Sequence, residues 1–371
     1  MSSVNKIIIS GGGTGGHIFP AISIANEIMR KDPNAEILFV GALGKMEMER
    51  VPQAGYKIEG LPVAGLKRKL SFSNLLLPFK VLRSLRIAGS IIDRFNPNVV
   101  VGVGGYASAP LLWMAGRRGI PYLIQEQNSY AGLANRILSK KASVICTAYE
   151  GMGRFFPEEK ILVTGNPVRD GIALTTLALK AEGKQFFGIA DNERVLLVTG
   201  GSLGARTLNT AVQDWIKSHE NCSFRIIWQT GKFYKEEMDA FVTSNRRAYV
   251  NHFAFLDRMD LAIAAADVIV TRAGAGTISE LSIAGKACIF VPSPMVAEDH
   301  QTHNAMTLVK KGAAMMIKDS EAGEYLMNSA AELLEDRLRI EELEEKIKQM
   351  AYTDAASVIV NELFKLIRRE K

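Results

Sequence analysis

The chain has 371 residues, 47% hydrophobic and 23% charged, values ordinary for a soluble globular protein and sufficient to exclude disorder as its main state. At about 150 residues per domain, the length predicts two domains, with three as an upper bound. Cys146, Cys222 and Cys288 lie far apart with no CxxC pair, which argues against a disulfide framework or structural zinc, and 45 basic against 39 acidic residues leave +6, an excess that suits an anionic partner.

The residues before the first glycines contain no long apolar stretch, so no secretory signal is expected. Short apolar runs predict strands at 6–9, 36–40, 99–103, 121–124, 144–147 and 161–163. A second set follows at 195–199, 224–228, 248–253, 268–271, 288–291 and 315–317. Helix-length amphipathic stretches separate them. Several runs are unbroken and β-branched, as in strands buried on both faces of a parallel sheet. The longest uncharged stretch, 95–116, is long enough to span a bilayer, but its prolines and glycines predict strand, loop and buried helix instead.

The chain repeats one opening. A strand at Lys6-Ile7-Ile8-Ile9 runs into Ser10-Gly11-Gly12 and a helix near Gly16. A strand at Val195-Leu196-Leu197-Val198-Thr199 runs into Gly200-Gly201-Ser202 and a helix near Ala205. The expected class is α/β, two Rossmann-like doubly wound domains facing across a cleft. Gly165-Asn166-Pro167 is the expected link, giving domains of 1–165 and 166–351 before a helical, charge-rich end.

Gly11, Gly13 and Gly16 form GxGxxG, a turn that lets backbone approach a phosphate at a helix N-terminus. A nicotinamide enzyme also needs an acid at the end of its second strand. That strand ends here in Gly41-Ala42, which argues against a dehydrogenase, and no GxxxxGK[ST] is present. His17 follows the glycines at the expected carboxyl edge of the sheet. It reads either as a helix-start residue capping its own backbone or as a neutral ring able to take a proton, and the position favours the second. In Thr271-Arg272-Ala273-Gly274-Ala275-Gly276-Thr277-Ile278-Ser279-Glu280, a buried strand turns through small residues into a helix whose N–H groups can hold a diphosphate. Glu280 reads equally as a bidentate acceptor for ribose hydroxyls or as a capping-box partner of Thr277. His300 and His303 lack the glutamate of HExxH, so sugar-reading polar groups are expected there rather than a metal.

Six motifs occur in one order: Gly12–His17, Gly104-Gly105-Tyr106, Gln125-Glu126-Gln127-Asn128, 165–169, 200–205 and 272–280. Together they closely resemble the MurG family of peptidoglycan glycosyltransferases (glycosyltransferase family 28), over nearly the whole chain. The resemblance implies a GT-B fold in which the final helix, residues 352–371, returns to the first domain. It implies an inverting hexosyltransferase that moves GlcNAc from UDP-GlcNAc to the 4-hydroxyl of MurNAc in undecaprenyl-linked lipid I, giving lipid II, at the cytoplasmic face of the bacterial inner membrane. No cofactor or metal is implied; cell-wall synthesis proteins are candidate partners. By motif, His17 resembles the catalytic base. Tyr106, Glu126, Asn128 and Asn135 resemble polar residues at the acceptor–donor junction. Thr14, Gly15 and Gly16 resemble the border of donor sugar and acceptor diphosphate. Arg169 and Ser202 resemble diphosphate contacts, and Leu256 a backbone reader of uracil. Arg272, Ala275, Gly276, Thr277, Ile278 and Ser279 belong to the donor motif, Glu280 resembles the ribose reader, and His300 and Gln301 sit where GlcNAc hydroxyls are read. His300 departs from the glutamine of some members.

From 66 to 92 the chain has six basic residues and no acid. Lys67, Arg68, Lys69 and Lys80 flank Leu75, Leu76, Leu77 and Phe79. The run reads as a solvated basic helix or as a peripheral membrane site; the consecutive apolar residues and the lipid-linked acceptor favour an anionic membrane surface. Leucines rather than interleaved aromatics argue against nucleic acid. The alternatives are another GT-B sugar-nucleotide enzyme, such as a UDP-GlcNAc 2-epimerase, and a non-catalytic nucleotide-sugar sensor.

Overall fold

The structure is a computed structural model of the chain and describes residues 4–63, 77–169, 171–172 and 174–369. It divides into two compact units, Met1–Asp170 with Tyr352–Lys371, and Gly171–Ala351.

In chain order the first unit contains β1 (Lys6–Gly11), α1 (Gly15–Lys31), β2 (Glu36–Ala42), α2 (Glu47–Gln53), β3 (Lys57–Leu61), α3 (Leu77–Phe95), β4 (Val99–Gly104), α4 (Ser108–Arg117), β5 (Tyr122–Glu126), α5 (Leu133–Leu138), β6 (Val144–Thr147) and β7 (Ile161–Val163). Among the described residues these strands form one parallel sheet in the order β3-β2-β1-β4-β5-β6-β7. Ile7, Ile8 and Ile9 are all fully buried. Alternate side chains enter opposite layers: Ile8 packs with Val100 and Leu111, Ile7 and Ile9 with Ile24 and Ile28. Helices on both faces therefore account for the unbroken apolar runs. β3 is absent from the sequence expectation. It is a half-exposed edge strand containing Lys57, Glu59 and Gly60, so it needs only one apolar face.

The second unit contains α6 (Leu177–Phe186), β8 (Arg194–Thr199), α7 (Arg206–Ser218), β9 (Phe224–Gln229), α8 (Lys235–Ser244), β10 (Val250–Phe253), α9 (Met259–Ala265), β11 (Val268–Thr271), α10 (Ala275–Ala284), β12 (Ala287–Phe290), α11 (His300–Val309), β13 (Met315–Met316), α12 (Ala322–Glu335) and α13 (Arg337–Lys348). Its described strands form a parallel sheet in the order β10-β9-β8-β11-β12-β13. Both sheets reverse direction of winding beside their first strand. Ligands of doubly wound folds bind outside the carboxyl ends of the strands at such a point.

The last helix, α14 (Ala355–Arg369), belongs to the first unit and covers α1. Ile359, Val360, Leu363 and Ile367 are buried in the Ile24–Ile28 layer, each worth about 1.5–3 kcal/mol. Lys31 Nζ donates to Ser357 Oγ at 2.8 Å and Asn361 Oδ1 at 2.7 Å. Gly165 has φ +77°, and a Cβ there would lie 2.2 Å from Tyr352. The Gly165-Asn166-Pro167 segment, expected as a link, is thus inside the first unit. Asn166 is buried, and Ser23 Oγ donates to the Val168 carbonyl at 2.8 Å.

Candidate active site

In the first unit, β1 ends in the glycine turn and α1 starts at Gly15, after Thr14. Gly12 N donates to the Gly104 carbonyl at 3.2 Å, and Ser108 Oγ donates to the carbonyls of Ser10 and Gly104, both at 2.9 Å, so the β1 and β4 turns are one piece. A Cβ on Gly105 would sit 2.3 Å from the Gly12 carbonyl oxygen, which makes this the close approach that requires glycine.

The structure adds a residue that the sequence reading missed. Glu47, on α2, is fully buried under the turn and accepts from Gly13 N and Ala42 N, both at 2.9 Å. Gly13 N–H is therefore held by a carboxylate rather than offered to a phosphate. Gly12 and Gly41 leave room for it: a Cβ at either would overlap the Glu47 side chain, at 2.2 and 2.6 Å. The signal was Gly41-Ala42 itself. Where a dinucleotide fold carries an acid on the strand, this chain has small residues, and an acid arrives five positions beyond Ala42.

His17 lies in the first turn of α1. Its Nδ1 is 2.8 Å from Gln127 Oε1, and its main-chain N–H donates to the Thr14 carbonyl at 3.1 Å. Its ring is thus engaged across the sheet rather than in capping its own backbone. Gly104, at φ +98°, makes the space: a Cβ there would lie 2.8 Å from the ring. Glu126, at the end of β5, is buried and fully engaged. Oε1 accepts from Asn128 N at 3.1 Å and Asn128 Nδ2 at 3.3 Å. Oε2 accepts from Gly132 N at 3.2 Å and Asn135 Nδ2 at 2.8 Å. That pattern folds the 126–135 loop, so Glu126, Asn128 and Asn135 are brought together, with Glu126 as organiser. Tyr106 is exposed beside the β4 turn. Thr14 and Gly16 border the same turn, and Arg169 lies beyond Val168 at the end of this unit.

In the second unit the β8 turn is held by Gln229. Its Nε2 donates to Thr199 Oγ1 and the Gly201 carbonyl, both at 3.0 Å, and its Oε1 accepts from Leu256 N at 2.9 Å. Leu256, expected as a backbone reader, thus has its N–H engaged by Gln229. Ser202 is exposed on this turn. α10 starts at Ala275 with Gly274 as its N-cap, in extended conformation and without a side-chain cap. Ala275, Gly276 and Thr277 form its first turn, whose N–H groups lack helical acceptors. This start overturns the capping-box alternative: Thr277 is the third helical residue, and Glu280 the sixth, out of reach of the N-cap. Ile278 is buried, and Ser279 Oγ bonds the Ala275 carbonyl at 3.0 Å. Arg272, expected as a ligand contact, donates through Nη1 to the Val291 carbonyl at 3.0 Å, the Pro292 carbonyl at 3.3 Å and Asp319. It braces β11 against its neighbours. Gln301 likewise accepts from Ser293 N at 2.8 Å. His300 opens α11 after Glu298 and Asp299, two consecutive residues in the left-handed region, a strained turn of the kind found at functional sites.

The glycosyltransferase family 28 N-terminal domain matches residues 7–147 and its C-terminal domain residues 195–359. A UDP-N-acetylglucosamine–N-acetylmuramyl-(pentapeptide) pyrophosphoryl-undecaprenol N-acetylglucosamine transferase from Parabacteroides distasonis is 50% identical, over 98% of this chain and 99% of its own. The enzyme of that name from Porphyromonas gingivalis W83 is also 50% identical, over 99% and 97%. The chain belongs to glycosyltransferase family 28. The crystal structure of Acinetobacter baumannii MurG superposes with a TM-score of 0.78 at 30% identity, over 97% of this chain and 99% of that one. A UDP-GlcNAc 2-epimerase from Neisseria meningitidis shares the fold, at TM-score 0.64 and 16% identity.

Of the membrane residues expected in this family 28 chain, Lys67, Arg68, Lys69, Leu75 and Leu76 lie outside the described residues. Leu77 starts α3, and Phe79, Lys80 and Leu82 are exposed on it. A cavity of about 550 Å³ opens between α4 and α5. Leu112, Trp113, Leu133 and Ile137 line it, together with Arg117, Arg136, Lys140 and Lys141. No described helix is long and apolar enough to cross a membrane.

Proposed function

We propose that this chain is an inverting hexosyltransferase that moves GlcNAc from UDP-GlcNAc to the 4-hydroxyl of MurNAc in undecaprenyl-linked lipid I, producing lipid II. The observation that carries the reading is 50% identity over essentially the full length to transferases named for that reaction. The geometry of each half supports it. His17, on the first turn of α1, takes the proton of the acceptor hydroxyl as that oxygen attacks the anomeric carbon. Glu126 sets the Asn128–Asn135 loop beside it, and Tyr106 with Thr14, Gly15 and Gly16 borders the sugars. The first turn of α10 receives the diphosphate with Ser202, where charge grows as UDP leaves, and Arg169 of the first unit is a diphosphate contact by its motif. Each well-placed donor of this kind is worth about 3 kcal/mol. Glu280 accepts from the ribose hydroxyls, Leu256 borders the uracil, and His300 and Gln301 border GlcNAc.

The reaction takes place at the cytoplasmic face of the membrane, with the chain bound peripherally. Support comes from the apolar face of α3 at Phe79 and Leu82 beside Lys80, Arg83 and Arg86, and from the four cations around the α4–α5 cavity. Purified protein, labelled UDP-GlcNAc and a lipid I analogue test the reading. The expected product carries a new β-1,4 GlcNAc–MurNAc linkage. Epimerised or hydrolysed sugar without transfer sinks it in favour of the 2-epimerase alternative.

A further inference from the structure

Three buried amide side chains stand behind His17. Gln127 Nε2 donates to the Val103 carbonyl at 2.7 Å and meets the Gln125 carbonyl at 3.2 Å and Gln125 Oε1. Gln125 Nε2 donates to Asn166 Oδ1 at 2.9 Å, and Asn166 Nδ2 donates to the Gln127 main-chain carbonyl at 3.1 Å. All three residues are at most 2% exposed. The orientation of an amide is settled by its partners, and here main-chain carbonyls, which only accept, stand at both ends of the chain of bonds. Turning Gln127 over would aim its oxygen at Val103 O and Gln125 O. Turning Asn166 over would aim its oxygen at Gln127 O. Either change places unpaired oxygens against each other in a buried site. The amides therefore lock one another, and Gln127 Oε1 is left facing His17 Nδ1 as an acceptor. A neutral imidazole carries one proton; the nitrogen opposite an obligate acceptor must hold it.

We propose that Gln127 is a positioning residue that keeps the His17 proton on Nδ1 and thereby makes Nε2 the basic nitrogen of the ring, with Gln125 and Asn166 holding Gln127 in register. This rests on the reading of His17 as the base. It gives the Gln125-Glu126-Gln127-Asn128 and Gly165-Asn166-Pro167 motifs a shared task, since the two segments meet through these bonds.

Two-bond proton–nitrogen NMR correlation on full-length protein labelled at the histidine ring nitrogens tests it. The His17 signals are assigned by their loss in His17→Ala. The expected spectrum shows the parent ring protonated at Nδ1 at a pH where it is neutral. In Gln127→Met the signals move toward the other tautomer, and kcat falls on the order of tenfold with little change in the KM for UDP-GlcNAc, the size expected from losing one hydrogen bond to the ring. Asn166→Ala shifts the tautomer the same way by a smaller amount. A parent ring protonated at Nε2 overturns the proposal without any variant having to fold. So does an unchanged tautomer in a folded Gln127→Met. If the parent shows the Nδ1 proton but His17→Ala keeps full activity, the amide lock stands and the base reading falls.

Discussion

Replacing the fully buried Glu47 by alanine removes the acceptor of two main-chain donors, the half-buried Gly13 N and the buried Ala42 N. A hydrogen bond to a charged group contributes about 1.5–3 kcal/mol, and a buried donor left unpaired costs a further share. Against this stands the relief of a buried carboxylate's desolvation, which takes back several kcal/mol. The net is a loss of about 2–4 kcal/mol. For a unit of this size that lowers Tm by roughly 5–15 °C. Glu47→Gln keeps one acceptor oxygen and turns an NH2 toward the other N–H, so it should fall between parent and alanine variant. Scanning calorimetry reads the first unit's transition, and initial rates against a lipid I analogue read the turn: the acceptor KM should rise with the loss of order at Gly13. A Glu47→Ala protein melting within about a degree of the parent, with the same acceptor KM, would falsify the idea that this carboxylate holds the glycine turn.

Glu280→Ala should raise the KM for UDP-GlcNAc about tenfold or more and reduce discrimination against a deoxyribose analogue; equal KM values refute the ribose contact. Lys286 is buried with its Nζ on the Ala264 and Ala266 carbonyls, and burial lowers its pKa from 10.5 to about 8. At this site the unfolded chain then binds more protons between about pH 8 and 10.5, so Lys286 adds a rise in urea stability with pH across that window, on the order of 3 kcal/mol, which the difference between parent and Lys286→Met should show. Parallel pH profiles for the two proteins contradict this. Changing Lys67, Arg68, Lys69 and Lys80 to glutamate should abolish sedimentation with anionic vesicles while sparing activity on a water-soluble acceptor; unaltered sedimentation moves the membrane contact elsewhere.

The strands were legible wherever burial on both faces left an unbroken apolar run, as at Ile7-Ile8-Ile9 or Val268–Thr271. Lys57–Leu61 was not, because an edge strand with one wet face reads as ordinary polar sequence. The glycine turns and His17 were legible from their order along the chain. What escaped were roles decided by long-range partners. Glu47 lies in a short helix with no pattern of its own, and Gln127 is one of five polar residues in a row, 125–129. The motifs do not disclose that Arg272 bonds the protein's own carbonyls or that Gln301 Oε1 accepts from the Ser293 main chain. The start of α10 was blurred because Ala273, Gly274, Ala275 and Gly276 offer no conventional N-cap side chain, which left the capping-box alternative for Glu280 open until the helix was seen to start at Ala275.

The covering of α1 by α14 has a consequence for how the protein is made. The ribosome completes residues 1–170 long before Ile359, Val360 and Leu363 exist, so the outer side of α1 emerges with no cover. At about 5–20 residues per second, the roughly 200 residues that follow take some 10–40 s to synthesise. Gly171–Ala351 carries its own sheet and core and does not depend on α14 to complete them. The first unit does depend on it: its Ile24–Ile28 layer stays open to water, and to chaperones that bind apolar helices, until α14 clears the exit tunnel. Released chains ending at residue 351 should therefore be protected from protease in the later-synthesised half and sensitive in the earlier one, the reverse of the usual amino-to-carboxyl order.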